Sequence, residues 1–332
     1  MKRTDPAIQW LLNSNDPSVR YLTLIDVLDT PRNSRAVKTA RAQIPDSPRV
    51  RTLFAGQQAA RRSSDQSLAI HPGGFGVHPY KKWDGAHWRL VSLVELGIPA
   101  DDPRARIAID QVLHWLTGEM HRRSIRRLHG LTRRCASQEG NALAVCSRLR
   151  LIDDPRVRYL AESLIEWQWP DGGWNCDKND DARHSSFYES LAPLWGLIEY
   201  HRATRDADCL NAARRAAELF LRHRLFRSEK TGEVIDPNWL LLHYPLYWHF
   251  DILQALVILS RLGPLTDPRL TEALDILESK RLPDGSWKAE GAYWRPAGKS
   301  ASNVEVVDWG RRGPNEMITL NALRVLKAAG RF

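Results

Sequence analysis

Cysteine is scarce in this chain: Cys135, Cys146, Cys176 and Cys209 form no CxxC pair and no tight spacing. That pattern reads as reduced thiols in a cytoplasmic protein. No apolar run is long enough to span a bilayer. The opening MKRTDPAIQWLLNSND follows its basic residues with only a stub of apolar sequence, so a secretory signal is not expected. Strand-like alternation is almost missing as well, which argues against a sheet-built fold. What is present suits a soluble globular protein: 43% hydrophobic residues and a mean hydropathy of −0.43. At 332 residues the chain can bury a sizeable core, as one large domain or two small ones.

Charge is less scarce. The formal net charge is +9, which suits either an anionic partner or solvated outer helix faces. The basic residues are spread along the chain, which favours the second reading. One local cluster, HRRSIRRLHGLTRR at 121–134, reads as a surface loop. No aromatic residues interleave with it to stack on bases, so no nucleic-acid partner is expected, while peripheral membrane contact stays open.

The strongest internal pattern is a recurring helix start. DPSVR, DSPRVR, DDPRAR, DDPRVR and TDPRL each place Asp or Ser at an N-cap and proline at the first helical position, where its missing N–H costs nothing. RDADCLNAARRAAELF at 205 adds a start without proline. The four later starts each follow a more apolar segment, at 83–97, 135–151, 185–200 and 247–263, and a fifth such segment lies at 314–330. The apolar segments fill more than one face, as helices buried between two layers do, whereas the following ones carry charge on one face. Long loops precede the apolar helices and short ones follow them, so the long loops gather on one face, where sites are commonly built.

Two of those loops open alike, QWPDGGW at 168–174 and RLPDGSW at 281–287, with a looser relative in HPGGFG at 71–76. Glycine permits positive φ in such a turn, and the tryptophan can lie back over the helical hairpin. Here the chain resembles the QW repeats of squalene–hopene and oxidosqualene cyclases and the related repeats of protein prenyltransferase β subunits. Gln168 to Trp174 fits Q-x(3)-G-x-W, whereas the copy ending at Trp287 lacks the glutamine. The resemblance covers roughly residues 67–330 and implies an all-α fold, an α/α toroid of about five to six inner–outer hairpins. Residues 67–332 would form the toroid, and residues 1–66 a helical segment packing onto or completing it.

The catalytic signatures of these families are not recognisable here. The zinc pattern of protein prenyltransferases would put Arg183 and Ser185 where Asp and Cys are needed, and the proton-donating D-x-D-D of the cyclases has only DKNDD at 177–181. A set of Cys176, Asp177 and His184 is the nearest thing to a metal site, and neither metal nor cofactor is expected.

A different constellation lies near the starts of the apolar helices: the acids Asp84, Glu139, Glu189, Asp251 and Glu316, with His87, His184, His243 and His249 nearby. Trp83, Trp88, Phe187, Tyr188, Tyr247, Trp248 and Phe250 accompany them. Desolvated carboxylic acids can donate protons, histidine can assist them, and aromatic faces can stabilise a cation. Acids in a first turn also stabilise the helix dipole without any catalytic role. The expected reading is a terpenoid-cyclase-like enzyme using metal-independent protonation on a hydrophobic small molecule. Asp251 is the first candidate acid, partnered by His249 or His243, and Glu189 is the second carboxylate. Arg311, in DWGRRGPNE, could hold an anionic group. Two other readings stand beside it: a carbohydrate-active toroid, hydrolase or lyase, with paired carboxylates, and a non-catalytic toroid that binds a protein or ligand.

Overall fold

A computed structural model describes residues 5–57, 73–296, 298 and 302–332. The expected domain boundary at 66/67 and the first two residues of the HPGGFG turn lie outside the described residues. The fold is all-α in class, 53% helix and 6% strand. In chain order the helices are α1 (Pro6–Leu12), α2 (Pro17–Leu22), α3 (Arg35–Gln43), α4 (Pro48–Phe54), α5 (Ala86–Glu95), α6 (Pro103–Thr117) and α7 (Glu119–Arg123). A hairpin of β1 (Arg126–Leu128) and β2 (Leu131–Arg133) follows. Then come α8 (Ser137–Arg148), α9 (Pro155–Trp167), α10 (Phe187–Thr204), α11 (Ala207–Arg222), α12 (Ile252–Leu259) and α13 (Thr271–Ser279). A second short pair, β3 (Lys288–Ala289) and β4 (Gly313–Pro314), precedes α14 (Glu316–Ala328). Among the described residues no helix is long and apolar enough to cross a membrane.

The Asp/Ser–Pro signals start helices for the reason their chemistry suggests. Asp16, Ser47, Asp102 and Asp154 cap α2, α4, α6 and α9, each accepting a backbone N–H of the first turn, with proline next in line. Asp267 does the same for the short 3-10 turn Pro268–Leu270 that leads into α13. Substituting such a cap by alanine typically costs about 1 kcal/mol. The apolar segments form α5, α8, α10, α12 and α14, which are buried on nearly every side, whereas α6, α9, α11 and α13 bury one face.

The chain divides into two compact units, one of residues 56–94 and 99–220, the other of residues 1–55, 95–98 and 221–332. In the first, α8 and α10 touch backbone to backbone. A Cβ on Gly140 would lie 2.3 Å from the nitrogen of Pro193, and one on Gly196 would lie 2.4 Å from the carbonyl of Gly140. No side chain fits there, and this close approach fixes the first turns of both helices. In the second unit α1 and α2 pack with α14. Arg49 pairs with Asp16 at 2.8 Å and with Glu316 at 3.1 Å, and Ser14 donates to Glu316 at 2.5 Å.

Each unit contains one tryptophan turn. The Trp174 indole donates to the carbonyl of Leu164 in α9 at 2.9 Å, while its backbone N–H donates to Ser190 Oγ in α10 at 3.0 Å. Trp287 repeats both bonds, to Leu277 in α13 at 2.7 Å and to Thr319 Oγ1 in α14 at 2.9 Å. Each ring therefore ties the helix before the turn to the helix after it. The lost glutamine has a substitute: Gln168 donates to the carbonyl of Gly172 at 2.7 Å, and Arg281 donates to the matching carbonyl of Gly285 at 3.1 Å. Both glycines have the positive φ that such a turn needs, 103° and 83°.

Candidate active site

In the unit of residues 56–94 and 99–220, the first turn of α8 carries Glu139, 1% exposed. One of its oxygens, Oε1, accepts from Arg134 Nε at 2.8 Å and lies 3.0 Å from His121 Nε2. Both partners come from the ends of the basic cluster. Its middle forms α7 and the β1–β2 hairpin, with exposed arginines, and its ends turn inward to hold a buried carboxylate. Burial alone would raise the pKa of Glu139, but the charge of Arg134 and the bond and charge of His121 outweigh it, and the group stays below its ordinary range. The other oxygen, Oε2, is buried and has no hydrogen-bond partner among the described residues.

His87, in the first turn of α5, is 2% exposed, and its Nε2 is likewise buried without a partner among the described residues. Burial pushes its pKa down to about 3, against a smaller opposing effect from Glu139, so the ring is neutral at physiological pH. Aromatic rings surround it: Trp88 edge-on at 4.6 Å, Tyr80 at 5.4 Å and Trp115 at 6.2 Å between ring centroids. Trp83, buried, meets Trp88 edge-on at 4.9 Å. Tyr80 is raised above its ordinary pKa, first by burial and then by the charge of Glu189, so its phenol keeps its proton.

Glu189, in the first turn of α10, lies beside this chamber. Its Oε2 accepts the backbone N–H of Ser137 at 3.1 Å, and Cys176 Sγ lies 3.6 Å from its Oε1. Burial raises its pKa, with the charge of Glu139 adding to the effect. Cys135, directly before α8, is the third member of this group, and the donor atoms of Cys135, Cys176 and Glu189 all lie within 4.8 Å of one another. A hydrogen bond from Cys176 lowers the Cys135 pKa, and Cys176 is raised correspondingly. Backbone pairing holds the two thiols side by side: Arg133 bridges Asn175, and Arg134 N–H donates to the Asn175 carbonyl at 3.0 Å. Of the set Cys176, Asp177 and His184 considered from sequence, only Cys176 joins this group, and the other two side chains are exposed.

The remaining candidates of this unit are placed differently. Asp84 binds Arg89 at 2.5 Å and Lys81 at 3.3 Å. Burial would raise its pKa, and these two cations reverse the shift. Phe187 packs edge-on against Phe220 at 5.1 Å, and Tyr188 is half-buried.

The densest sequence cluster, LHYPLYWHFD, falls in the other unit. Asp251 is 0% exposed, and both its oxygens are engaged by backbone, Oδ1 by the N–H of Gln254 at 2.8 Å and Oδ2 by the N–H of His243 at 3.0 Å. This is an N-cap for α12 that also fastens the incoming loop. His243 Nδ1 lies 3.6 Å from Oδ2. His249 lies 3.0 Å by Nδ1 from the carbonyl of Leu246. Its ring is stacked between Trp248 at 3.9 Å and Tyr293 at 3.6 Å, and Tyr293 in turn stacks on His243 at 4.4 Å. Tyr247 is half-buried, with φ of 59°. Glu316 is held by Arg49 and Ser14, and exposed Arg311 lies 5.8 Å from the Trp294 ring.

Sequence reasoning missed Tyr80, Trp115, His121, Arg134 and Cys135. The available signal was positional: Arg134 and Cys135 immediately precede the apolar segment that carries Glu139.

Fold and site together define a helical protein with a buried carboxylate and a neutral histidine packed among aromatic rings. No protein-family model and no curated protein matches the chain.

Proposed function

We propose that this chain is an acid–base enzyme of the helical-toroid class, resembling the terpenoid cyclases, which acts on a small hydrophobic substrate held in the aromatic chamber around His87 and Glu139. One observation carries the reading: among the described residues Glu139 Oε2 and His87 Nε2 are both buried without a partner, and His87 and His121, the partner of Glu139, both meet the Trp115 ring edge-on. A buried polar atom left unpaired costs about 1–3 kcal/mol, a cost that a substrate atom or a water molecule would relieve. The alternation of all-round-buried and one-face-buried helices supports the toroid.

The charge states suggest the reaction class. A carboxylate held ionised by an arginine is a weak base, too weak to remove an ordinary carbon-bound proton quickly. It suits the acidic proton beside a carbocation formed when the substrate's own leaving group departs with its bonding electron pair, and its fixed charge stabilises that cation before the proton passes to the carboxylate. The faces of Tyr80, Trp88 and Trp115 add to this stabilisation. His87, neutral because it is buried, can hydrogen-bond to the substrate without adding a competing charge. The products would be those of elimination, with or without prior ring closure of the cation. A wall made mainly of rings favours a hydrocarbon substrate over a sugar. Arg134 and His121 are positioning residues for Glu139.

The test is to identify a bound metabolite by untargeted mass spectrometry, then measure turnover of Glu139→Gln and His87→Gln. Loss of roughly 100-fold or more in kcat for each is expected, with helical content retained. Full turnover by both variants would overturn the reading.

A further inference from the structure

We propose that Cys135, Cys176 and Glu189 bind one zinc ion, with a fourth coordination position left open. The three residues come from three different elements: the junction of β2 and α8, the strand leaving the Trp174 turn, and the first turn of α10. Each is fixed by contacts that do not involve its own donor atoms. Arg134 N–H is bonded to the Asn175 carbonyl, Trp174 N–H to Ser190 Oγ, and Gly140 and Gly196 set the approach of α8 to α10. The site is thus held by backbone before any ion enters.

The distances suit the ion. Zn–S bonds of ~2.3 Å and Zn–O bonds of ~2.0–2.2 Å place tetrahedral donors roughly 3.4–3.8 Å apart. Cys176 Sγ and Glu189 Oε1 are already 3.6 Å apart, and no pair in the trio exceeds 4.8 Å. Two sulfurs select a thiophilic ion such as zinc over calcium or magnesium, which require oxygen cages. Charge points the same way. Binding the ion displaces the two thiol protons, and the resulting thiolates and carboxylate carry three negative charges beside Glu139, where the nearby cation, Arg134, is already spent on Glu139 and Gln138. A divalent ion offsets most of that charge.

Three protein ligands with an open fourth position are the arrangement of catalytic rather than structural zinc. An ion there would present a Lewis acid or a metal-bound water beside Tyr80. That use rests on the functional reading above, whereas zinc binding itself does not, so the two fail separately. The sequence suggested no such site because α8 and α9 intervene between the two cysteines.

The experiment takes the full chain, reduced and freed of metal by chelator, and titrates it with zinc and then with cobalt(II). One zinc per chain is expected by elemental analysis. The cobalt form should show tetrahedral d–d bands and a strong sulfur-to-metal charge-transfer band. Zinc should protect Cys135 and Cys176, but not Cys209, from alkylation in a peptide map. Cys135→Ser and Cys176→Ser should each weaken zinc binding by more than the roughly 10–100-fold typical of changes outside the ligand shell. Glu189→Gln should weaken binding and keep the charge-transfer band. The wild-type cobalt spectrum and alkylation map decide the matter even if a serine variant fails to fold. No stoichiometric zinc, a cobalt spectrum without a sulfur band, or a disulfide between the two cysteines that persists in reductant would overturn the proposal.

Discussion

The turns at 167–176 and 281–290 share the bonds of one tryptophan clip, yet they carry different chemistry. In both, the indole donates ten residues back and the tryptophan amide donates to a hydroxyl on the following apolar helix. The amide at Ser186 donates to the Trp174 carbonyl, and that at Asn315 to the Trp287 carbonyl, at 2.8 Å and 2.9 Å. Two residues beyond the first tryptophan stands Cys176, and beyond the second stands Ala289. Just before the two hydroxyl residues stand Glu189 and Ile318. The clip leaves these two positions unused by its own bonds. In one copy they carry donor atoms, and in the other they are apolar. The tryptophan turn is therefore a scaffold element on which a site can be built, and its presence alone indicates no site.

The sharpest way to break this comparison is to remove each ring. Trp174→Ala and Trp287→Ala should each cost about 3–5 kcal/mol in urea unfolding, because both rings are fully buried and bonded. A cost below ~1 kcal/mol for either would show that the two clips are not energetic equivalents. The rings should differ in one further respect: only Trp174→Ala disturbs the approach of Cys176 to Glu189, and with it the alkylation pattern of Cys135 and Cys176.

A second contrast separates the buried acids of the two units. Asp251 spends both oxygens on backbone N–H groups, whereas Glu139 keeps one oxygen unpaired opposite a neutral histidine. That histidine gives a pH signature. Above pH 6.5 folded and unfolded chains both carry His87 neutral, and it contributes no pH dependence. Below that, the unfolded chain binds a proton that the folded chain refuses down to about pH 3. Stability therefore falls as the pH drops through this window, by up to ~1.4 kcal/mol per unit. His87→Gln removes this slope, so the advantage of the wild type over the variant should shrink by roughly 2 kcal/mol between pH 7 and about pH 5. Parallel urea-midpoint curves would show that His87 titrates normally.

The helices were legible because their signals are local. Asp–Pro and Ser–Pro starts cap within a turn, and burial on every side reads directly as an apolar segment. The site was legible only in part. Glu139 and Glu189 could be named because they lie in first turns, but the partners that set their properties come from distant sequence. Cys135 reaches Cys176 through a single backbone bridge, and the His121–Arg134 pair lies at the ends of a run that otherwise looks like solvated charge. The aromatic and acidic density of 242–251 was a poor guide for a related reason. Composition does not reveal whether an acid's oxygens are already engaged, and those of Asp251 are.

The smallest effect tests the substitute for the missing glutamine. Arg281 Nε donates to the Gly285 carbonyl, and its guanidinium also pairs with Asp5 at 2.6 Å. Arg281→Gln would restore the residue found at 168 and keep a donor for the glycine carbonyl. It would lose the ion pair, whose arginine side chain is one-third exposed and which is worth about 0–1 kcal/mol, and the guanidinium's positions over the Trp287 ring at 5.3 Å and the Phe332 ring at 5.2 Å. The substitution should therefore cost less than ~2 kcal/mol. Arg281→Ala removes the turn bond as well and should cost about 0.5–1.5 kcal/mol more than Arg281→Gln. If glutamine and alanine prove equally costly, the bond to Gly285 contributes nothing, and Arg281 acts through Asp5 and the Trp287 and Phe332 rings instead.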